Sequence, residues 1–394
     1  MAKLRLAVFN TQPPHLYFGG VERRIMETAK LIEPEADFTV YCGTKAGFNE
    51  PTQIGGAKLV PCYSTDIMFP LDNWIFNRNL TKQAAKIDAE VFEAHAVSGY
   101  GFPKKLKQLD INKPFIHTIH GVLADEYQQA KANPHQSMRD KVANRLMHHL
   151  GELEKRTAQN ATLIVTISNY SLQKINQNYG ISEDKVRIVP NGVDTEKFKP
   201  TNDATETRKQ FGFGNEPVVL FVGSLISRKG LPLLVKAAEK VVKDRPDTKF
   251  LLVGDGPLRE NLDATLKQVN LGGNFVFLTN IRDEVLPTIY NCADVFVLPS
   301  IQEGQGIVLL EAQACGVPVV AFDIGGVNEA VHAGETGLLA ERGNTDALAD
   351  SLLKLVNDEA LRKQMGLAGR RFVSENFTWK LCVKRMLEVY RSVL

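Results

Sequence analysis

Cysteine is scarce in this 394-residue chain, and what there is does not pair: Cys42, Cys62, Cys292, Cys315 and Cys382 are odd in number, scattered, and nowhere spaced C-x-x-C. The pattern argues against a disulfide framework and a cysteine-built zinc site, and a reducing cytosol fits it. An excess of either charge is lacking too. Lys plus Arg number 47 against 45 Asp plus Glu, a net charge of +2, so no nucleic-acid partner is expected. No run approaches the ~18 consecutive apolar residues of a membrane-spanning helix. The opening "MAKLRLAVFN" holds an apolar run too short for a signal-peptide core, with no small-residue cleavage site behind it, so export is not expected. The expected location is cytoplasmic, with a peripheral contact at the inner membrane face as the one membrane role left open.

Several motifs are also missing. There is no G-x-x-x-x-G-K-S/T, which speaks against a kinase or nucleoside triphosphatase. The dinucleotide fingerprint is incomplete in both halves: "VGDGPLREN" has only G-x-G, and "NTQPPHLYFGGVERR" lacks even that, which disfavours a nicotinamide or flavin enzyme. There is no D-x-D, and no His/Asp/Glu cluster has metal-ligand spacing, so neither a metal nor a cofactor is expected.

What the chain does have is alternation. Apolar runs such as "LRLAVFN", "PFIHTIHG", "ATLIVTIS", "PVVLFVG", "KFLLVGDG", "DVFVLPS" and "VPVVAF" are separated by helical patterns such as "GVERRIMETAKLI" and "LPLLVKAAEKVVKD". Strands that are continuously apolar, not alternating, belong to parallel sheets covered on both faces. The fold class is therefore α/β, with two doubly wound, Rossmann-like parallel-sheet domains, since the length exceeds what one core supports. Residues 1–194 form the N-terminal domain and 195–376 the C-terminal domain, the boundary falling after "IVPNGVDTEKFKP" in a polar, turn-rich stretch. A last amphipathic basic helix, about 377–394, is expected to cross back onto the first domain; its charge reads as a solvated face sooner than as a membrane contact.

Two stretches carry chemistry. In "FVGSLISRKGLPLLVKAAEKV" a strand runs into a loop and then a helix, whose free N–H groups and dipole favour anions beside Arg228 and Lys229. A phosphate site fits, although a solvated basic loop explains the same residues equally well when they are taken alone. In "SIQEGQGIVLLEAQACGVPVVAF" two carboxylates flank a glycine turn, whereas a structural helix start needs one cap, which Ser300 or Glu303 could supply. Glu303 falls in the loop at the carboxyl end of a strand, where open α/β sheets bind ligands. Gly304 and Gly306 allow close backbone approach, so the N–H groups of Gln305, Gly306, Ile307 and Val308 are placed to grip a hydroxyl-rich group. Glu311, a little over one turn into the helix, suits a vicinal diol such as ribose. One carboxylate for each sugar of a nucleotide-sugar, with the diphosphate between them, accounts for both.

These residues resemble the E-x7-E motif of the retaining GT-B glycosyltransferases of family 4, the glycosyl transferases group 1. The resemblance covers nearly the whole chain, because "FGGVERRIMETAKLI", "HTIHG", "IVTISNYS", "IVPNGVDTEKF", "VGSLISRKG", "LLVGDGPLR", "VLPTIYNCADVFVLPS" and "EGQGIVLLEAQACGVPVVAFDIGGVNEAV" stand in the family's order. It implies two domains facing a central cleft, 1–194 on the acceptor side and 195–376 binding the donor, with Glu303 on the transferred sugar, Glu311 on ribose, and Arg228 with Lys229 on the pyrophosphate. It also implies that Gly20 begins the turn nearing the donor phosphates, and that His120 of "HTIHG", more than His117 or His95, lies near the reacting sugar. Two departures bear on sugar identity: Gly223-Ser224 stands where members commonly have G-R, a variation shared with a UDP-glucose-using member, and Gln305 stands where an aromatic is usual. The function so implied is retaining, metal-independent transfer of a hexose from a nucleotide-sugar, a UDP-sugar in the first instance, to a hydroxyl acceptor (a sugar, a lipid-linked sugar or a small molecule). GDP-mannose as donor, a disaccharide phosphorylase or epimerase on the same scaffold, and a nucleotide-sugar-binding protein without turnover are the alternatives.

Overall fold

The computed structural model describes residues 3–17, 19–65, 70–131, 138–201 and 204–394. Its contacts divide the chain into two compact units, Met1–Asn191 together with Trp379–Leu394, and Gly192–Thr378.

The first unit is built on eight strands: β1 (Leu4–Asn10), β2 (Ala36–Gly43), β3 (Thr52–Ile54), β4 (Ala57–Cys62), β5 (Val91–His95), β6 (Phe115–Ile119), β7 (Leu163–Thr166) and β8 (Val186–Ile188). They lie in the order β3-β4-β2-β1-β5-β6-β7-β8, and only β3 runs antiparallel to its neighbour. All residues of β5 and β6 are buried, although β5, "VFEAH", carries Glu93 and His95 and β6, "FIHTI", carries His117 and Thr118. β2 differs, because "ADFTVYCG" alternates buried Ala36, Phe38 and Val40 with exposed or half-buried partners and so shows no continuous apolar run.

The helix Gly20–Ile32 follows β1, and the terminal helix Trp379–Ser392 packs against it in the same unit. The terminal helix buries Trp379, Cys382, Val383, Met386, Val389 and Tyr390, a stripe at helical spacing. Arg24 ties the two helices to the chain beyond β8. It is 1% exposed and donates to the Val189 carbonyl at 2.8 Å, to Asn191 Oδ1 at 3.0 Å and to Met386 Sδ at 3.3 Å. Its charge is thereby buried with its donors engaged, the condition under which a guanidinium is tolerated in a core.

The second unit holds β9 (Val218–Val222), β10 (Lys249–Val253), β11 (Phe275–Leu278), β12 (Val295–Leu298), β13 (Val319–Asp323) and β14 (Gly337–Glu341), all parallel, in the order β11-β10-β9-β12-β13-β14. This is the 3-2-1-4-5-6 arrangement of a dinucleotide-type fold, with the winding direction reversing between β9 and β12. The helix Leu231–Asp244 covers the sheet with Leu231, Leu234, Val235, Ala238 and Val241, all buried. Each of its larger side chains contributes roughly 1.5–3 kcal/mol by leaving water. Among the described residues no helix is long and apolar enough to cross a membrane.

Candidate functional site

The reversal between β9 and β12 brings two loops together at the carboxyl edge of the second sheet. After β9 the chain makes a short 3-10 turn, Ser227–Lys229, and then Gly230 opens the next helix in the left-handed region at φ 67°. A Cβ at Gly230 would lie 1.8 Å from the Pro299 carbonyl oxygen, so only glycine lets the loop after β9 pass against the loop after β12. A hydrogen bond from Ile301 N to the Arg228 carbonyl, 2.9 Å, joins them further.

This contact delivers Lys229 to Glu303. Nζ of Lys229 lies 2.6 Å from Oε2 of Glu303, Nη1 of Arg228 lies 4.0 Å from the same oxygen, and the Ser300 hydroxyl is 3.5 Å away. The Lys229 and Glu303 side chains are only 11% and 13% exposed, whereas that of Arg228 is 44% exposed. Burial acts to raise the Glu303 carboxyl, but the charges of Lys229 and Arg228 and the hydrogen bonds from Lys229 and Ser300 outweigh it and hold the group below its ordinary value. Two groups read from sequence as ligands of different parts of one molecule thus hold each other here.

The other glutamate is set differently. Glu311 belongs to the helix Ile307–Ala314, is 2% exposed, and accepts a hydrogen bond from the Tyr290 hydroxyl at 2.7 Å through Oε2. Tyr290 lies 21 residues upstream, and nothing in its stretch "VLPTIYNCADVFVLPS" pointed to the pairing. The N-cap of this helix is Gly306 at φ 86°, with Gln305 buried beside it and Gly304, Ile307 and Val308 half-buried, so the first-turn N–H groups sit beside Glu303 in the chain. The Glu303 carbonyl is itself engaged by Gly326 N at 3.2 Å.

In the first unit, Gly20 is the first residue of the helix Gly20–Ile32, whose acidic first-turn residue Glu22 accepts from Asn10 Nδ2 at 3.2 Å. His120 follows the end of β6, half-buried, with Nε2 at 2.8 Å from Nδ1 of His95. His117 is turned elsewhere: it is fully buried, and its Nε2 donates to the Ala96 carbonyl at 2.6 Å. Burial lowers the His117 pKa to about 4, so it serves as a neutral structural donor. Glu93 on β5, buried and close to His95, was not among the candidates; no motif flags it.

Two parallel-sheet, Rossmann-like units, one carrying cations and a carboxylate at its switch point, define the GT-B class. Residues 18–197 match the family described as Glycosyltransferase Family 4, and residues 203–372 match Glycosyl transferases group 1. The chain belongs to the family-4 glycosyltransferases. A relative, the GDP-mannose-dependent alpha-(1-6)-phosphatidylinositol monomannoside mannosyltransferase of Mycolicibacterium smegmatis, is 34% identical over 243 residues, 60% of this chain and 63% of that protein. This match thus spans less than two thirds of the relative's length. Alpha-maltose-1-phosphate synthase of the same organism is 28% identical over 419 residues, covering 99% of this chain and 100% of the relative. Among solved structures, sucrose-phosphate synthase from Thermosynechococcus elongatus has a TM-score of 0.86 at 23% identity, over 99% of both chains. Anabaena HepE in complex with UDP-glucose has a TM-score of 0.77 at 20% identity, over 99% of this chain and 100% of that one.

Proposed function

We propose that the chain transfers a hexose from a nucleoside-diphosphate sugar to a hydroxyl acceptor, with retention at the anomeric carbon and without a metal. The observation that carries this reading is the Lys229–Glu303–Arg228 cluster at the switch point of the second sheet. A diphosphate entering there exchanges one anionic partner of Lys229 for another, so the cation is already placed and its desolvation already met. Lys229 and Arg228 then neutralise the departing diphosphate, with the first-turn N–H groups of the Gln305–Val308 segment assisting. Glu303, released from Lys229, turns to the transferred sugar and steadies the positive charge that grows as its bond to phosphate breaks. Glu311 takes the ribose hydroxyls. Gly20 at its helix start and His120 are the first unit's groups toward donor phosphate and sugar. Front-face attack, with the leaving phosphate accepting the acceptor's proton, needs no enzymic nucleophile.

On the donor base, the Gly223-Ser224 variation favours a UDP-sugar, whereas the names of two relatives that are 34% identical specify GDP-mannose. Those names also specify a phosphatidylinositol mannoside, which keeps a lipid-linked acceptor, and with it peripheral membrane contact, in the reading beside free sugars and small molecules. The test is a thermal-shift screen of UDP- and GDP-sugars, followed by donor consumption with excess chelator present. A rise in melting temperature with one donor series, and turnover that persists in chelator, is the expected result. No stabilisation by any nucleotide-sugar would sink the reading, and activity restored only by added magnesium or manganese would sink its metal-free part.

A further inference from the structure

Three side chains on neighbouring strands of the first unit form a line that the transfer reading leaves unused. Glu93 and His95 are two residues apart on β5 and so share a face, and His120 lies just past the end of β6. Nδ1 of His95 is 2.8 Å from Nε2 of His120, with the rings stacked 5.2 Å apart, and Nε2 of His95 is 3.4 Å from Oε1 of Glu93. Glu93 receives two further donors: the Thr118 hydroxyl at 2.5 Å on Oε1, and the Tyr390 hydroxyl, from the terminal helix, on Oε2.

Proton placement follows from these contacts. Burial raises the Glu93 pKa, against the hydrogen bonds from Thr118 and Tyr390 and the charge of Arg24. With both hydroxyls donating to it, the ionised carboxylate offers His95 only an acceptor. A bare lone pair on His95 Nε2 would repel that oxygen, so the His95 proton sits on Nε2. Burial, then the Arg24 charge and His117, keep His95 neutral, which leaves Nδ1 as a lone pair. The donor to that lone pair is His120 Nε2–H. His120 is held neutral in turn by burial, His95, Arg24 and His117, so its Nδ1 carries no proton.

We propose that Glu93 and His95 are positioning residues that fix His120 as the Nε2–H tautomer, presenting Nδ1 to the sugars as a hydrogen-bond acceptor, and that Tyr390 holds Glu93 in the state that sets this polarity. What Nδ1 faces rests on the transfer reading; the tautomer itself does not. The histidine so fixed accepts from a sugar hydroxyl and cannot donate to one through that nitrogen.

The test begins with the full chain, 15N-labelled at histidine, by NMR at pH 7. Both His95 and His120 are expected to be neutral and protonated on Nε2; His120 protonated on Nδ1, or charged, would overturn the proposal. Glu93→Gln, with its amide nitrogen toward His95 and its oxygen toward the Tyr390 hydroxyl, donates where the carboxylate accepted, which reverses both bonds and leaves His120 protonated on Nδ1. Transfer should then fall by about tenfold, the scale of one lost hydrogen bond to the substrate, while nucleoside-diphosphate affinity by calorimetry is unchanged. A reversed tautomer with unaltered transfer would remove the positioning role, and an unreversed tautomer would remove the relay. Should Glu93→Gln not fold, Tyr390→Phe serves. Loss of one donor raises the Glu93 pKa, so the protonation-driven tautomer reversal should begin at a higher pH than in the unaltered chain, with Arg24, His117 and Cys382 the other ionisable groups acting there. No displacement of that onset counts against the proposal. If neither protein transfers sugar at all, the transfer reading fails while the NMR results still decide the tautomer.

Discussion

Glu303 in the second unit and Glu154 in the first are both carboxyls withdrawn from water, and they titrate in opposite directions. Glu154, 0% exposed, accepts from Leu123 N at 3.0 Å and from the Tyr179 hydroxyl, with no cation bonded to it among the described residues; burial raises its pKa to about 8, against the pull of these two hydrogen bonds. Glu303 meets the same desolvation but has Lys229 at 2.6 Å and Arg228 at 4.0 Å, and its pKa falls below the ordinary value. The difference separates a structural carboxyl, kept protonated to join elements of a core, from one held ionised by cations that an anionic ligand could recruit.

The largest expected effect removes the ionised carboxylate. Glu303→Gln should lower turnover by about a hundredfold or more, the scale for losing one electrostatic contact to developing charge. Because the carboxylate also competes for Lys229, nucleoside-diphosphate binding measured by calorimetry should tighten. Weakening as large as in Glu311→Gln would mean that the two glutamates had been assigned the wrong parts of the donor.

Removing the cation instead makes Glu303 resemble Glu154. Lys229→Ala should weaken nucleoside-diphosphate binding by about tenfold or more. It should also cost about 3 kcal/mol of stability in denaturant unfolding, since a mostly buried carboxylate loses its closest partner. The double change Lys229→Ala with Glu303→Gln should recover most of the stability and none of the binding. If the single variant unfolds at the same denaturant concentration as the parent, the ion pair contributes nothing, and the comparison with Glu154 breaks.

The most gradual effect, spread over several pH units, lies in pH dependence. Glu154 titrates from 4.5 when unfolded to about 8 when folded, so its contribution is complete below pH 4.5 and is lost as pH rises to about 8, at up to about 1.4 kcal/mol per unit. For Glu303, lowered in the folded state, the sign is opposite, and its contribution is lost on acidification through the folded value. Glu154→Gln should therefore flatten the fall of melting temperature between pH 5 and 8, whereas Glu303→Gln should flatten the acid side. Identical profiles for the two variants would erase the distinction.

Local pattern carried much of this molecule. The buried strands β6, β9, β10, β12 and β13 are legible because both faces are covered, whereas β5 is not, because Glu93 and His95 interrupt its apolar pattern; the start of the helix Leu231–Asp244 is legible because Gly230 and Pro232 mark it. β2 was illegible as a parallel strand because one face alternates, and β11, "FVFL", because four residues carry no period. In the candidate site, the sequence singled out Glu303, Glu311, Arg228, Lys229 and His120. It could not pair them with one another or with Glu93, His95, Tyr290 and Tyr390.

By itself, then, the order of residues determined the α/β class, the two parallel sheets, the glycosyltransferase family and the loops in which charged groups gather, since all of these follow from periodicity, turn residues and short motifs within reach of one another along the chain. Only the tertiary structure decided that Lys229 neutralises Glu303 from 74 residues away, and that Tyr390 bonds Glu93 across 297. The physical reason is that a carboxyl group's charge state depends on burial and on the partners brought beside it. Strand order and the return of the terminal helix set both, and neither is written in the neighbourhood of the residue itself.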